Sequence, residues 1–168
     1  MNENIIIEKN LSEEEIYRSL LSQIESVIDS QVPVISNLAN VCAILKDTFD
    51  KVSWVGFYFL KNNTLYLGPF QGKLACTSIN INNGVCGFSV CEKQTIIVED
   101  VNQFPGHIAC DSNSQSEIVV PLVKDNTIYG VLDIDSYNLS AFNDVDKKYL
   151  ESLCNSLIQK LSFETIAL

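Results

Sequence analysis

The sequence predicts an α+β fold, with helices near both ends of the chain and a central antiparallel sheet of about six strands between them. Apolar residues recur at helical spacing before residue 46 and after residue 143, whereas short β-branched and aromatic runs fill the middle. Short consecutive strands joined by turns pair as hairpins, unlike the strand–helix alternation of a parallel sheet. With 168 residues and no repeat or linker, one domain is predicted, with 1–36 as an N-terminal helical segment and 37–163 as the core.

Three helices are predicted from apolar stripes and from residues typical of helix ends. Ser12 and Glu15 form a capping-box pattern that opens a first helix running to about Asp29. Pro33 is typical of the first turn of a second helix, and Asn143 is a good N-cap for the last one. The predicted buried stripes are Ile16, Leu20, Ile24, Val27 and Ile28; Val34, Leu38, Val41, Cys42 and Leu45; and Leu150, Leu153, Leu157, Ile158 and Leu161.

The middle of the chain is predicted to form the sheet. Asn62-Asn63 and Asp125-Asn126 mark two hairpin turns. Residues 84–91 are predicted to hold a helical turn, and 100–116 a long loop, which in a compact domain is usually functional. The predicted strands are 54–60, 65–70, 75–81, 95–99, 117–123 and 128–135.

The charge of the chain excludes some partners. A formal net charge of −10 provides no basic field for phosphate backbones or anionic membrane surfaces, so neither nucleic acid nor a membrane is an expected partner. No apolar run approaches the roughly 20 residues that span a bilayer. Residues 1–10 lack the basic and long apolar regions of an export signal. We therefore expect a cytoplasmic protein, in which thiols stay mostly reduced.

Six cysteines in such a compartment require a reason, and core packing, metal binding and redox catalysis are the open options. The sequence has no Cys-x-x-Cys pair and a single histidine, His107, so no zinc motif, bound metal or bound cofactor is expected. Cys42 and Cys154 lie on apolar helical stripes, where packing is the favoured reading. The role of Cys91 stays open.

The other three cysteines, Cys76, Cys86 and Cys110, lie near glycines or in the long loop. Glycine permits close approach, and His107 is three residues from Cys110, where it would help to form a thiolate. From the residues alone, a reactive thiol and an ordinary small buried side chain are equally open for each of them.

Carboxylates form a second candidate group. Asp133 and Asp135 alternate along a strand and so point to one face of the sheet, with Tyr129 as a companion and Ile128 on the other face. A strict two-residue turn would pair Glu117 with the wrong face, whereas a bulge or a loop of odd length would place it beside the two aspartates. The alternatives are therefore a cluster of three acids beside the loop of Cys110 and a solvated strand edge.

Together, thiols and acids suit the reduction of a sulfoxide. A thiolate attacks the sulfoxide sulfur, and a carboxylic acid of raised pKa protonates the oxygen. The acids would also hold the ammonium group of a free amino acid, which a residue within a peptide lacks. Trp54 and Tyr58 would supply an apolar wall for a thioether methyl group, whereas Phe57 is more consistent with the core.

Several segments resemble one enzyme family, the free methionine-R-sulfoxide reductases, which are single GAF domains. The similarity runs from about residue 37 to 153 and is most specific around Cys110 and in the Gly-Pro-Phe-Gln-Gly-Lys stretch. The matching segments are 54–58, 67–73, 84–87, 104–111, 116–121 and 130–136.

The resemblance implies a role for each matching position. Cys110 would be the nucleophile that becomes a sulfenic acid, Cys76 the thiol that resolves it into a disulfide, and Cys86 an assisting third cysteine. The substrate would be held by the acids and the aromatic wall, namely Glu117, Asp133, Asp135, Trp54 and Tyr58. Thioredoxin would be the electron donor. The R stereochemistry comes from the resemblance alone.

Two other readings stay open at this point. One is a non-catalytic GAF sensor of a small molecule or an oxidant, since a fold does not fix a function. The other is a structural or dimerisation module that uses the terminal helices; a homodimer is also compatible with the enzyme. Leu74 departs from the family, which often has proline there, and Gln115 stands where a basic residue is expected.

Overall fold

A computed structural model describes residues 11–107 and 110–167. Residues 1–10, with the expected absence of an export signal, lie outside this range. The helices are α1 (Glu13–Val27), α2 (Val34–Thr48), α3 (Gly84–Glu92) and α4 (Asp144–Lys160), and short 3-10 turns cover Val101–Gln103 and Phe163–Thr165. The strands are β1 (Trp54–Lys61), β2 (Thr64–Gln71), β3 (Ser78–Asn80), β4 (Ile96–Val98), β5 (Ser116–Lys124) and β6 (Thr127–Ser136). Among the described residues, no helix is long and apolar enough to cross a membrane.

The strands form one sheet in the order β3-β2-β1-β6-β5-β4, and every neighbouring pair is antiparallel. The predicted α+β class and the six-stranded sheet are therefore confirmed. The capping box predicted at Ser12 and the N-cap predicted at Asn143 are also present, because each side chain accepts a bond from the first helical turn.

Two predicted elements differ from the structure. The strand predicted over 75–81 is confined to Ser78–Asn80, because the chain at Cys76 leaves the sheet to join another loop through a disulfide. The helical turn predicted over 84–91 is a complete nine-residue helix, which ends at Lys93 in the left-handed conformation.

The two faces of the sheet carry different layers. One face packs against α1, α2 and α4 in the larger core, which contains Phe57, Ile118 and Leu132 among its fully buried side chains. The other face packs against α3 and carries Tyr58, Val119 and Val131. Because side chains alternate along a strand, β1, β5 and β6 each contribute to both layers. The assignment of Phe57 to the core is confirmed.

A β-bulge in the β5–β6 hairpin sets which residues share a face. Lys124 pairs with Thr127 across a two-residue turn, but the register shifts by one between Leu122 and Val123. The bulge that was needed to bring Glu117 to the aspartates is confirmed, since Glu117 pairs with Asp135. The facing predicted for 128 and 129 is wrong.

That facing reverses because Tyr129 is the extra residue of the bulge, between the pairs Val123–Ile128 and Leu122–Gly130. Tyr129 packs against Phe163 in the larger core, and Ile128 packs with the α3 layer. The strand alternation holds on each side of the bulge and is inverted across it.

Candidate active site

A cavity lies on the α3 face of the sheet, where β1, β5 and β6 meet the loops that carry Cys76 and Cys110. Strand register brings its polar side chains together, since Trp54 and Glu117 both pair with Asp135. Residues that pair directly across antiparallel strands point to the same face. The predicted site residues that line the cavity are Trp54, Tyr58, Cys86, Cys110, Glu117, Asp133 and Asp135.

The three acids are held in an environment that favours their neutral forms. Burial raises the pKa of Glu117 well above its usual range, and the charges of Asp133 and Asp135 raise it further. Burial also raises the pKa of Asp133, although hydrogen bonds from Cys86 and Glu117 oppose this effect. The pKa of Asp135 is likewise raised by burial and by the charge of Asp133, and Ser114 donates a hydrogen bond that partly offsets this. The solvated-edge alternative is therefore wrong.

One acceptor in the cluster lacks a partner. Asp133 is 7% exposed, and its Oδ1 atom is buried without a hydrogen bond to any described residue. A buried acceptor without a partner is costly, so this atom is a position at which a donor or a cation is stabilised. The lining residues given by the described part of the chain include no lysine or arginine that would fill this position.

His107 lies beside the acids. Its Nε2 atom is 3.8 Å from Glu117 Oε2, a distance that is too long for a hydrogen bond. Burial lowers the pKa of His107, so its imidazole is neutral near pH 7. The side chain thus borders the carboxyl group without neutralising it.

The aromatic wall is fixed by its neighbours. Trp54 Nε1 donates to the carbonyl of Lys73 at 3.1 Å, and Tyr58 Oη donates to the carbonyl of Cys76 at 3.0 Å. Both side chains therefore hold part of the loop between β2 and β3. A Cβ atom at Gly72, where φ is +137°, would lie 2.5 Å from Trp54 Cδ1, so glycine permits the close passage of that loop.

A disulfide joins Cys76 and Cys110, which are 34 residues apart in sequence. Cys110 is exposed and lines the cavity, and Cys76 is half-buried. A salt bridge of 3.1 Å between Lys73 Nζ and Asp111 Oδ2 joins the same two loops, and Tyr137 Oη donates to Asp111 at 2.8 Å. Sequence reasoning missed both Asp111 and Ser114, because their partners are distant in sequence and no local pattern marks them.

The remaining cysteines differ in their surroundings. Cys86 is buried on α3, and burial together with the charge of Asp133 raises the pKa of its thiol well above the usual range. Cys86 is thus a neutral thiol at pH 7, unlike an activated nucleophile. Cys42 and Cys154 are buried in the larger core, which confirms their packing role, whereas Cys91 is exposed.

With the disulfide closed, the cavity is small. Its volume is about 40 Å³, and a water molecule requires roughly 10–15 Å³ on this measure. The enclosed part of the cavity therefore has room for a few water molecules or one small ion. The loops that carry Cys76 and Cys110 border it.

A model of the GAF domain family matches residues 10–159, and the chain belongs to that family. It is 49% identical over 158 residues to the GAF domain-containing protein A of Dictyostelium discoideum, covering 94% of this chain and 99% of that protein. It is 42% identical over 163 residues to the free methionine-R-sulfoxide reductase of Saccharomyces cerevisiae, covering 92% and 91%. Within the GAF domains, the chain belongs to the free methionine-R-sulfoxide reductase family.

A solved structure extends the similarity to three dimensions. The free methionine-R-sulfoxide reductase of Neisseria meningitidis, in complex with its substrate, superposes with a TM-score of 0.88 at 43% identity. The match covers 96% of both chains, so the whole domain is shared.

Proposed function

We propose that this protein reduces free methionine-R-sulfoxide to methionine with its cysteine thiols. The observation that carries the proposal is the disulfide between Cys76 and Cys110 at the mouth of a buried, acid-lined cavity. The names of the relatives, including one solved with its substrate, support the same reaction.

In the first step, the thiolate of Cys110 attacks the sulfur of the sulfoxide. The oxygen passes to Cys110, which becomes a sulfenic acid, while the sulfoxide gains two electrons and leaves as the thioether methionine. The neutral carboxyl group of Glu117 supplies the proton that the sulfoxide oxygen requires. Cys110 is the better candidate for nucleophile, since it lines the cavity, whereas the high pKa of Cys86 disfavours a thiolate there.

In the second step, the thiol of Cys76 attacks the sulfur of the sulfenic acid. A disulfide forms and water leaves, which yields the pairing found in the structure. A dithiol protein of the thioredoxin class then reduces the disulfide by exchange and becomes oxidised itself. The exposed position of Cys110 and the half-buried position of Cys76 support access by such a partner.

The cavity also suits a free amino acid. Asp133 and Asp135 would hold the ammonium group, and the unpartnered Oδ1 of Asp133 is an acceptor for it. Trp54 and Tyr58 would contact the apolar side chain. A sulfoxide within a peptide lacks the ammonium group, so it would leave buried carboxylates without a partner and bind poorly.

The test is turnover of free L-methionine-R-sulfoxide, followed as NADPH consumption with thioredoxin and thioredoxin reductase. We expect activity with the free R epimer, and little with the S epimer or with N-acetylated sulfoxide. Consumption of NADPH by none of the three, with folded protein and reduced thiols, would contradict the proposed function and favour a sensor that only binds.

Cysteine variants test the order of steps. Cys110→Ser should abolish turnover, and Cys76→Ser should release about one methionine per chain and then stop, because the sulfenic acid is not resolved. Cys91→Ser is the matched control, since this exposed thiol lies outside the cavity lining, and should retain full turnover. Multiple turnovers by Cys110→Ser would show that the nucleophile is assigned wrongly.

A further inference from the structure

Three potential metal ligands meet inside the cavity, although they are far apart in sequence. Cys86 Sγ, one carboxylate oxygen of Glu117 and one of Asp133 all lie within 4.8 Å of one another, and all three side chains are buried. They come from α3, β5 and β6, so no sequence spacing reveals them. The packing of α3 on the sheet, rather than a local motif, forms this cluster.

One acceptor atom of the cluster has no donor or cation beside it in the described part of the chain. Asp133 is a member, and its Oδ1 atom is buried and unpartnered among the described residues. Asp135 lines the same cavity, whereas none of the lining residues given for the described chain is a lysine or an arginine. The whole chain also carries a formal net charge of −10, which favours the approach of cations.

The size of the cavity restricts the occupant. With Cys76 and Cys110 joined, about 40 Å³ is open, which suits one ion with one or two water molecules. A metal ion is therefore small enough to reach the cluster in the disulfide-bonded state.

The donor atoms restrict the ion. One thiolate and two carboxylates suit a borderline-soft ion such as Zn²⁺, while Mg²⁺ and Ca²⁺ prefer oxygen ligands alone. Tetrahedral Zn²⁺ with a sulfur ligand at about 2.3 Å and oxygen ligands at about 2.0–2.2 Å needs donor atoms roughly 3.5 Å apart. Since the three atoms lie within 4.8 Å, shifts of about 1 Å at the side-chain ends would close the set.

We propose that the disulfide-bonded protein binds one Zn²⁺ ion through Cys86, Glu117 and Asp133, with water in the fourth position. Binding displaces the thiol proton of Cys86 and the proton on the carboxyl pair, and both pass to solvent through the cavity mouth. No electron transfer is involved. The ion occupies the position that the proposed function gives to the ammonium group of the substrate. The Zn²⁺-bound protein therefore cannot bind substrate. This block on substrate rests on the proposed function, whereas Zn²⁺ binding itself does not.

Co²⁺ is the probe for the test, because a thiolate bound to it gives a near-ultraviolet charge-transfer absorption and Zn²⁺ then displaces it. The protein is first oxidised, and a count of four free thiols verifies that only Cys42, Cys86, Cys91 and Cys154 remain unpaired. We expect one Co²⁺ per chain, a thiolate band, and loss of that band when one equivalent of Zn²⁺ is added. No band, or a metal stoichiometry of zero by equilibrium dialysis, would overturn the proposal.

Matched variants locate the ion. Cys86→Ser should remove the band, whereas Cys91→Ser, which changes an exposed thiol on the same helix, should retain it. Asp133→Asn keeps the thiol and the size of the side chain, and should weaken Zn²⁺ binding at least tenfold while a thiolate band persists at high Co²⁺. If Cys86→Ser fails to fold, Asp133→Asn still tests whether the ion is bound at this cluster. A band that depends on Cys91, or Zn²⁺ binding unchanged in Asp133→Asn, would place the ion elsewhere and overturn the assignment.

The measurements of Co²⁺ and Zn²⁺ binding do not depend on enzyme activity. If the protein binds Zn²⁺ as expected but reduces no sulfoxide, the metal site is supported and the proposed function is contradicted. If it reduces sulfoxide but binds no Zn²⁺ or Co²⁺ when oxidised, the function is supported and the metal site is contradicted.

Discussion

At the scale of single residues, Gly130 lies where β6 passes very close to β1. It pairs with both Phe59 on β1 and Leu122 on β5, next to the bulge, with φ at +157°. A Cβ atom there would lie 1.9 Å from the carbonyl oxygen of Tyr58. The close approach of β1 and β6 at this point therefore requires glycine.

Gly130→Ala should lower the free energy of unfolding by about 3 kcal/mol or more, because backbone atoms must move to relieve the overlap. Gly106→Ala is the control, since Gly106 also has positive φ, at +74°, but no atom of residues 11–107 or 110–167 is found within 4 Å of the added Cβ. The control should cost only the left-handed strain, roughly 1 kcal/mol. Urea unfolding measures both, and equal losses would show that close packing at Gly130 is not responsible.

Glu117 illustrates a cost that the site imposes on stability. Its folded pKa is raised, so its stabilising contribution is complete below the unfolded pKa, about 4.3, and is lost as the pH rises through the folded pKa. Glu117→Gln has nearly the same shape and stays neutral, so it should raise the melting temperature at pH 7.5 in the presence of a chelator. Near pH 4 the difference from the native protein should shrink.

The same substitution should lower kcat/KM at least tenfold, about 1.4 kcal/mol of transition-state stabilisation, because the amide cannot donate an acidic proton. Scanning calorimetry and steady-state kinetics measure the two effects on one preparation. A variant that is less stable at pH 7.5 than at pH 4, relative to the native protein, would contradict the electrostatic argument, and unchanged kinetics would contradict the catalytic one.

At the scale of elements, local patterns predicted those parts of the fold that depend on local chemistry. The capping residues Ser12 and Asn143 begin helices in the structure, because the bonds involved span only three residues. The short extent of β3 was not predictable, since residues 75–77 leave the sheet for a partner loop 34 residues away. The facing of Ile128 and Tyr129 was missed because no local pattern shows the position of the bulge that reverses it.

The two loops that carry Cys76 and Cys110 act together as the wall of the cavity. The disulfide, the Lys73–Asp111 salt bridge and the bonds from Trp54 and Tyr58 all hold this wall. Because the disulfide fixes this wall around a small cavity, oxidation should weaken the binding of an amino acid.

Binding of free methionine, the unreactive product, tests this effect of oxidation. The reduced protein should bind it at least tenfold more tightly than the oxidised protein, because reduction frees the wall to move. Trp54 is the only tryptophan and lines the cavity, so its fluorescence reports the binding. In Cys76→Ser, which cannot form the disulfide, the affinity should be the same under both redox conditions, and equal affinities for the two states of the native protein would contradict the argument.

At the scale of the whole molecule, the larger hydrophobic core lies on one face of the sheet and the acid-lined cavity lies on the other. The face that carries the acids is buried partly by loops and a short helix, while three longer helices cover the other face. The roles of the site residues came to the sequence analysis through family resemblance, whereas their contacts depend on pairings between distant strands. Cys86 shows the difference most clearly, because its acidic neighbours follow it by 31 and 47 positions and only the fold brings them to its thiol.

Asp146 anchors the helical layer on the face away from the site. It is fully buried, accepts a bond of 2.7 Å from Tyr17 Oη on α1, and contacts Lys51 Nζ at 2.7 and 2.8 Å. It also accepts from the backbone N–H of Asn143, and Lys51 bonds Glu13 as well. One carboxylate thus joins α1, the segment after α2 and the start of α4.

Asp146→Asn should lower the free energy of unfolding by about 1–3 kcal/mol, because the amide has only one acceptor oxygen for the donors that meet at this buried position, while Glu13 still pairs with Lys51. Lys160→Ala, which removes an exposed ion pair with Glu25, should change it by less than about 1 kcal/mol. Urea unfolding followed by the fluorescence of Trp54 measures both, and kcat/KM of folded Asp146→Asn should equal that of the native protein. Asp146 and the cavity lie on opposite faces of one sheet. A loss of activity without a loss of stability would therefore show that the two layers are coupled through β1 and β5, and that the core and the site are not independent.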